Sequence, residues 1–251
     1  TDNAEAESGI IGPGSTTVIG ETDPELQAIL RAKAGADPVL RDNDFGVVSS
    51  QRAVGGKVFS LKTRLGSYDD VFLPLFGEHQ ELNAAVALQC AEEFLGQPLP
   101  DDAVREAFGK VSSPGRLELV GKQPLVILDG AHNAAGMEAL ATALTDEFPP
   151  GPKTIVFGCM KEKDPTELLL ALNEVEVDQL IITAIDSPRA LGTEQIRNAA
   201  RKIGLADARI CTAENPRAAL DLATQDTDPD GQIVITGSLY LVGAAKGLLV
   251  G

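Results

Sequence analysis

Between Leu125 and Leu249, short apolar runs and helical stretches alternate five times, and this alternation limits the fold more than anything else in the chain. The runs are Leu125–Leu128, Thr154–Phe157, Leu180–Thr183, Arg209–Cys211 and Ile233–Thr236. Each precedes a segment with helical spacing: Ala134–Phe148, Pro165–Leu172, Thr193–Ile203, Pro216–Ala223 and Leu241–Leu249. Strands that are apolar throughout are buried on both faces. Five such β–α units predict a mostly parallel sheet with helices on both sides. Arg116–Val120 alternates instead and is predicted as an antiparallel edge strand.

The turn-rich Ser112-Ser113-Pro114-Gly115 precedes this region and reads as a domain boundary, separating residues 1–111 from 112–251. The earlier region is mixed. A short helix is expected after Pro24, and β-prone runs at Phe45–Ser49, Gln51–Leu61 and Val71–Leu75, with a turn at Gly55-Gly56. Asn83–Leu95 repeats apolar residues at three- and four-residue steps, predicting a helix ended by Gly96. A second helix, capped by Asp101 or Asp102, is expected to run to Val111.

Open parallel sheets bind ligands outside the carboxyl ends of their strands. That is where the polar residues of this chain gather: Asp129-Gly130-Ala131-His132-Asn133 after Leu128, Gly158 to Asp164 after Phe157, Asp186-Ser187-Pro188-Arg189 after Thr183, and Thr236-Gly237-Ser238 after Ile235. The two histidines, His79 and His132, both read as loop residues. His132 opens a helix, where free N–H groups favour anions; Asn133 reads equally as a plain helix cap. Asp129 ends an apolar strand, so its carboxylate must be solvated or hydrogen-bonded. Holding a ribose hydroxyl or a cation, and capping the next helix, are both open to it. Arg116 suits a bidentate phosphate clamp or a surface ion pair.

Composition removes several classes of function. A net charge of −16 argues against nucleic acid and anionic membrane surfaces as partners. No run reaches the ~18 apolar residues of a membrane span. Cys90, Cys159 and Cys211 are odd in number and far apart, which fits a reducing cytoplasm and neither a zinc site nor a disulfide framework. The sequence holds no G-x-x-x-x-G-K-[ST], no G-x-G-x-x-G opening a β–α unit, and no G-x-S-x-G elbow.

Four segments, in order, resemble one family. Leu75-Phe76-Gly77-Glu78-His79-Gln80-Glu81-Leu82-Asn83-Ala84 is similar to its L-x-G-x-H-Q-x-x-N-A segment. Ser113-Pro114-Gly115-Arg116-Leu117-Glu118 is similar to its (T/S)-P-G-R-x-E linker. Asp129-Gly130-Ala131-His132-Asn133 and Thr236-Gly237-Ser238-Leu239-Tyr240 match its D-G-A-H-N and T-G-S-L-Y. The family is the folylpolyglutamate/dihydrofolate synthase branch of the Mur ligases, and the match covers the later half of such an enzyme.

The resemblance implies a Rossmann-like Mur ligase C-terminal domain over 112–251, preceded by the last part of the central ATPase domain. It implies ATP-dependent ligation of L-glutamate to dihydropteroate or a folate through an acyl phosphate, with ATP and magnesium as cofactors and small-molecule substrates. A cytoplasmic monomer is expected, without nucleic-acid or membrane partners. Carried over by motif, Asn83 contacts adenine, and Arg116 and Asp129 hold the phosphate–ribose end. His132 and Ser238 hold the incoming glutamate, with Arg189 a further carboxylate contact. His132 and Asp129 are the catalytic candidates, and no metal ligand is assigned. Lys161 and Asp164 resemble a D-K-D-like loop of the family. Ala6-Glu7-Ser8-Gly9-Ile10-Ile11 resembles its E-K-A-G-I-I segment, with Glu7 in place of the lysine. The family's P-loop and magnesium ligands lie before residue 1, so the expectation is a fragment that does not turn over ATP alone. The alternatives are a non-catalytic nucleotide- and glutamate-binding module, and a Mur ligase acting on a peptidoglycan precursor.

Overall fold

The computed structural model describes residues 5, 8–12, 14–35 and 37–250. It divides into two compact units, one ending at Ser112 and the other beginning at Ser113. Glu7 lies outside the described residues.

The first unit runs β1 (Val18–Ile19), α1 (Pro24–Lys33), β2 (Val39–Leu40), β3 (Gly46–Ala53), β4 (Gly56–Lys62), β5 (Ser67–Leu73), α2 (Glu78–Leu95) and α3 (Asp101–Gly109). Asp23 caps α1, accepting from the amides of Glu25 and Leu26 at 3.0 Å each. Strands β3, β4 and β5 form an antiparallel sheet, and β1 pairs with β2 in parallel. Phe59, Leu61, Tyr68, Val71 and Leu73 from the sheet pack against Ala84 and Leu88 of α2 and Val104 of α3. Two polar pairs are buried with them. Lys57 Nζ meets Glu81 Oε1 at 2.6 Å, and the Tyr68 hydroxyl donates to Glu92, whose side chain is sealed from solvent.

Two expectations fail here. Helix α2 begins at Glu78, five residues before the apolar repeat, so His79 sits in its first turn and not in a loop. The left-handed Gly77 (φ 95°) starts the helix early, and a Cβ on it would stand 2.4 Å from the His79 ring. Asp101 and Asp102 lie inside the first turn of α3, whose cap residue is Pro100, with no side-chain cap. There they favour the helix through its dipole.

The second unit runs β6 (Glu118–Lys122), β7 (Leu125–Leu128), α4 (Ala134–Asp146), β8 (Lys153–Phe157), α5 (Pro165–Leu170), β9 (Val177–Thr183), α6 (Thr193–Lys202), β10 (Ile210–Ala213), α7 (Pro216–Asp226), β11 (Gln232–Thr236) and α8 (Leu239–Leu249). Its sheet has the order β10-β9-β8-β11-β7-β6. All pairs are parallel except β6–β7, the expected antiparallel edge. One face carries Leu128, Val156, Ile181, Ile233 and Ile235 against Ala219, Leu220 and Ala223 of α7 and Leu241, Val242 and Ala245 of α8. Alternation sends Ile127, Ile155, Phe157, Val234 and Thr236 to the other face. There the Thr236 hydroxyl reaches the Met137 sulfur of α4 at 3.7 Å.

This strand order creates the site. The chain passes from β7 to β8, which lie on either side of β11. The strand order reverses there, and the carboxyl ends of β7, β8 and β11 open onto a common crevice.

Candidate functional site

Three loops meet at that crevice and are tied by their own backbones. The Gly130 amide donates to Gly115 O at 2.7 Å, and the Gly237 amide to Ala131 O at 3.0 Å. Two glycines let the loops approach closely. A Cβ on Gly237 (φ 96°) would stand 2.6 Å from Gly158 O and from the Phe157 ring. A Cβ on Gly130 would stand 2.3 Å from Leu239.

Asp129 is buried at the end of β7. Its Oδ1 accepts from the Ala131 amide at 2.8 Å and its Oδ2 from the Leu117 amide at 2.9 Å. The carboxylate thus binds its own loop to the segment before β6. It does not cap α4; Asn133 does, accepting from the Gly136 amide at 2.8 Å.

His132 is half-buried, and its Nδ1 lies 2.8 Å from Gly130 O. A carbonyl only accepts, so Nδ1 carries the proton. Nε2 is left as an acceptor on the neutral ring and a donor on the charged one. Ser238 is buried and caps α8, its Oγ accepting from the Tyr240 amide at 3.2 Å. Arg116 is exposed, and its guanidinium makes no hydrogen bond or ion pair among the described residues. The crevice edge thus gathers Arg116, Asp129, His132 and Ser238.

Arg189 is placed differently. It lies in the loop after β9, and its Nε donates to Glu162 at 2.7 Å in an exposed ion pair. Lys161 Nζ donates to Pro188 O at 2.8 Å, so both side chains tie the loops after β8 and β9 together. Asp164 caps α5 through the Thr166 amide at 2.8 Å.

Asn83 belongs to the first unit. It is exposed on α2 and lines a cavity of about 440 Å³ with Thr17, Glu21, Leu30, Arg41 and Val86. Thr17 Oγ1 and Arg41 Nε are buried there without a hydrogen-bond partner among the described residues. Sequence reasoning missed both, because neither stands in a recognisable motif. It names Glu118 only as the last residue of the linker motif and Lys246 not at all, because no local pattern announces their pairing across 128 positions. Among the described residues no group of three or more His, Cys, Asp or Glu could hold a metal ion. No helix among them is long and apolar enough to cross a membrane.

A sheet of this order with its polar loops at the β7/β11 crevice defines a class. Residues 115–239 match the Mur ligase, glutamate ligase domain, and belong to that family. The chain as a whole is a homologue of the folylpolyglutamate/dihydrofolate synthases. It is 41% identical to the dihydrofolate synthase/folylpolyglutamate synthase of Mycobacterium tuberculosis, with 94% of this chain and 52% of that one aligned. It is 31% identical to the folylpolyglutamate synthase of Lacticaseibacillus casei, over 99% of this chain and 57% of that one. Among solved structures, it is similar to Mycobacterium tuberculosis folylpolyglutamate synthase complexed with ADP and AMPPCP. The TM-score is 0.91 at 41% identity, covering 98% of this chain and 58% of that one. The chain therefore spans about half the length of the curated relatives it matches.

Proposed function

We propose that the protein takes part in the ATP-dependent ligation of L-glutamate to dihydropteroate or a (tetrahydro)folate, this chain supplying glutamate-binding and part of the nucleotide-binding residues. The observation that carries the reading is the crevice edge, where Arg116, exposed and unpaired among the described residues, the oriented His132 and the buried Ser238 share one scaffold in a homologue of such synthases.

The chemistry has four demands. The acid's carboxyl oxygen must take a phosphoryl group from ATP, the amine of glutamate must reach the acyl carbon, and phosphate must leave with the amide formed. Water must be kept from the mixed anhydride. Arg116, with no competing carboxylate bound to it, suits a phosphate group. With Nδ1–H committed to Gly130, neutral His132 offers Nε2 to the incoming ammonium group; protonated, it offers N–H to a carboxylate. Ser238 stands at the N-terminus of α8, where an anion is favoured.

The described residues fit a nucleotide. Asn83 borders a cavity holding two polar atoms that want partners, Thr17 Oγ1 and Arg41 Nε, and a relative is known complexed with ADP. Among the described residues no group of three or more His, Cys, Asp or Glu stands ready to hold a metal ion. Phosphate release by the intact gene product tests the reading. It should require ATP, glutamate and dihydropteroate or a folate together. ADP binding without any glutamate-dependent release would instead favour a non-catalytic binding module.

A further inference from the structure

Arg116 sits in an unusual stretch of backbone. Gly115 before it has φ 69° and Leu117 after it has φ 47°. A non-glycine residue in the left-handed region is uncommon, and it persists only where the surroundings over-determine it. Here they do. All three amides of the stretch are bound: Gly115 by Glu118 Oε2 at 2.8 Å, Arg116 by Ser113 O at 3.1 Å and Leu117 by Asp129 Oδ2 at 2.9 Å. The Leu117 side chain is buried. The Arg116 side chain is exposed and has no hydrogen-bond or ion-pair partner among the described residues.

Charge poses a second problem. Glu118 is the nearest carboxylate along the chain, two residues from Arg116, and a free one would compete for the guanidinium. Its other oxygen, Oε1, is taken by Lys246 Nζ of α8 at 2.7 Å. We propose that Glu118 and Lys246 form a positioning device for the nucleotide site: Glu118 holds the Gly115 turn, and Lys246 occupies Glu118 so that Arg116 stays available to a phosphate group. The proposal rests on the reading above that Arg116 binds the nucleotide. Burial pushes the Glu118 carboxyl up, but Lys246 and the Gly115 amide outweigh it and hold the group below its usual range, so it stays ionised and in need of its lysine.

A pattern of variants in the intact gene product separates this role from a structural one. ADP dissociation constants by calorimetry and ATP and glutamate KM values are the readouts, with thermal unfolding alongside. Arg116→Ala should weaken ADP about tenfold or more. Lys246→Met, which keeps the aliphatic stem, should weaken ADP about three- to fivefold by releasing Glu118 onto Arg116, with the glutamate KM nearly unchanged. Glu118→Gln still accepts from the Gly115 amide but cannot capture Arg116, so ADP affinity should stay near that of the parent. The double variant Lys246→Met with Glu118→Gln should regain what Lys246→Met lost. If Arg116→Ala weakens ADP while Lys246→Met does not, or Glu118→Gln is as damaging as Lys246→Met, the positioning role is wrong and the nucleotide reading stands. Unaltered ADP affinity in Arg116→Ala overturns both.

Discussion

His132 shows how one hydrogen bond decides what a side chain can offer. Its Nδ1 is spent on Gly130 O, so its chemistry passes through Nε2. His132→Ala should raise the glutamate KM about ten- to hundredfold, the cost of a charge-assisted hydrogen bond, and leave the ATP KM nearly unchanged. The melting temperature should hold, because a half-buried loop side chain fills little of the core. Parallel losses for both substrates with a lower melting temperature would mark a structural residue. Tyr68 gives a second case. Burial first, and then its hydrogen bond to Glu92, push the phenol from 10.0 up to about 12. The folded state therefore keeps this proton after the unfolded chain has released it. That stabilising preference is complete below pH 10.0 and is lost as pH rises towards about 12. In Tyr68→Phe, the part of the alkaline stability loss that falls in this window should disappear from pH-dependent denaturation, and the neutral-pH stability should drop because Glu92 loses a buried donor. Motif reading found Asp129, His132 and Ser238 at the crevice. It could not foresee that Asp129 would spend both oxygens on backbone amides, since that depends on how β6 returns beside β7.

At the level of elements, the parallel sheet was legible because its strands are uniformly apolar and its helices punctuated. Asn133 and Asn215 cap α4 and α7 through amides at 2.8 and 2.9 Å, and Pro165 and Pro216 occupy first turns. The first unit was less legible. Val18–Ile19 and Val39–Leu40 are two-residue strands, too short for any periodicity to reveal. The start of α2 was hidden because Glu78-His79-Gln80-Glu81 is polar by composition, while Gln80 and Glu81 are in fact buried, Glu81 by pairing with Lys57. The crevice loops should be intolerant of added bulk. Gly237→Ala forces a Cβ against Gly158 O and the Phe157 ring in a left-handed backbone, and should cost about 2 kcal/mol or more. Chemical denaturation measures it. A loss below about 0.5 kcal/mol would show that the three loops are not locked as described.

For the molecule as a whole, the two units carry separate cores, one around Phe59 and Leu73, the other around Val156 and Ile235. Residues 113–251 expressed alone should therefore unfold in one cooperative transition, followed by circular dichroism; a broad, non-cooperative melt would contradict an independent core. The chain carries a net charge of −16, so anion binding at Arg116 depends on local geometry and not on the overall field. The function proposed for the full-length protein is the joining of glutamate to a folate-type acid through an acyl phosphate. Mass spectrometry with an acid substrate labelled with oxygen-18 in its carboxylate tests it directly. The account predicts a product heavier by one glutamate residue and labelled oxygen in the released phosphate. A glutamylated product with unlabelled phosphate, or no glutamylated product in the presence of ATP, would contradict it.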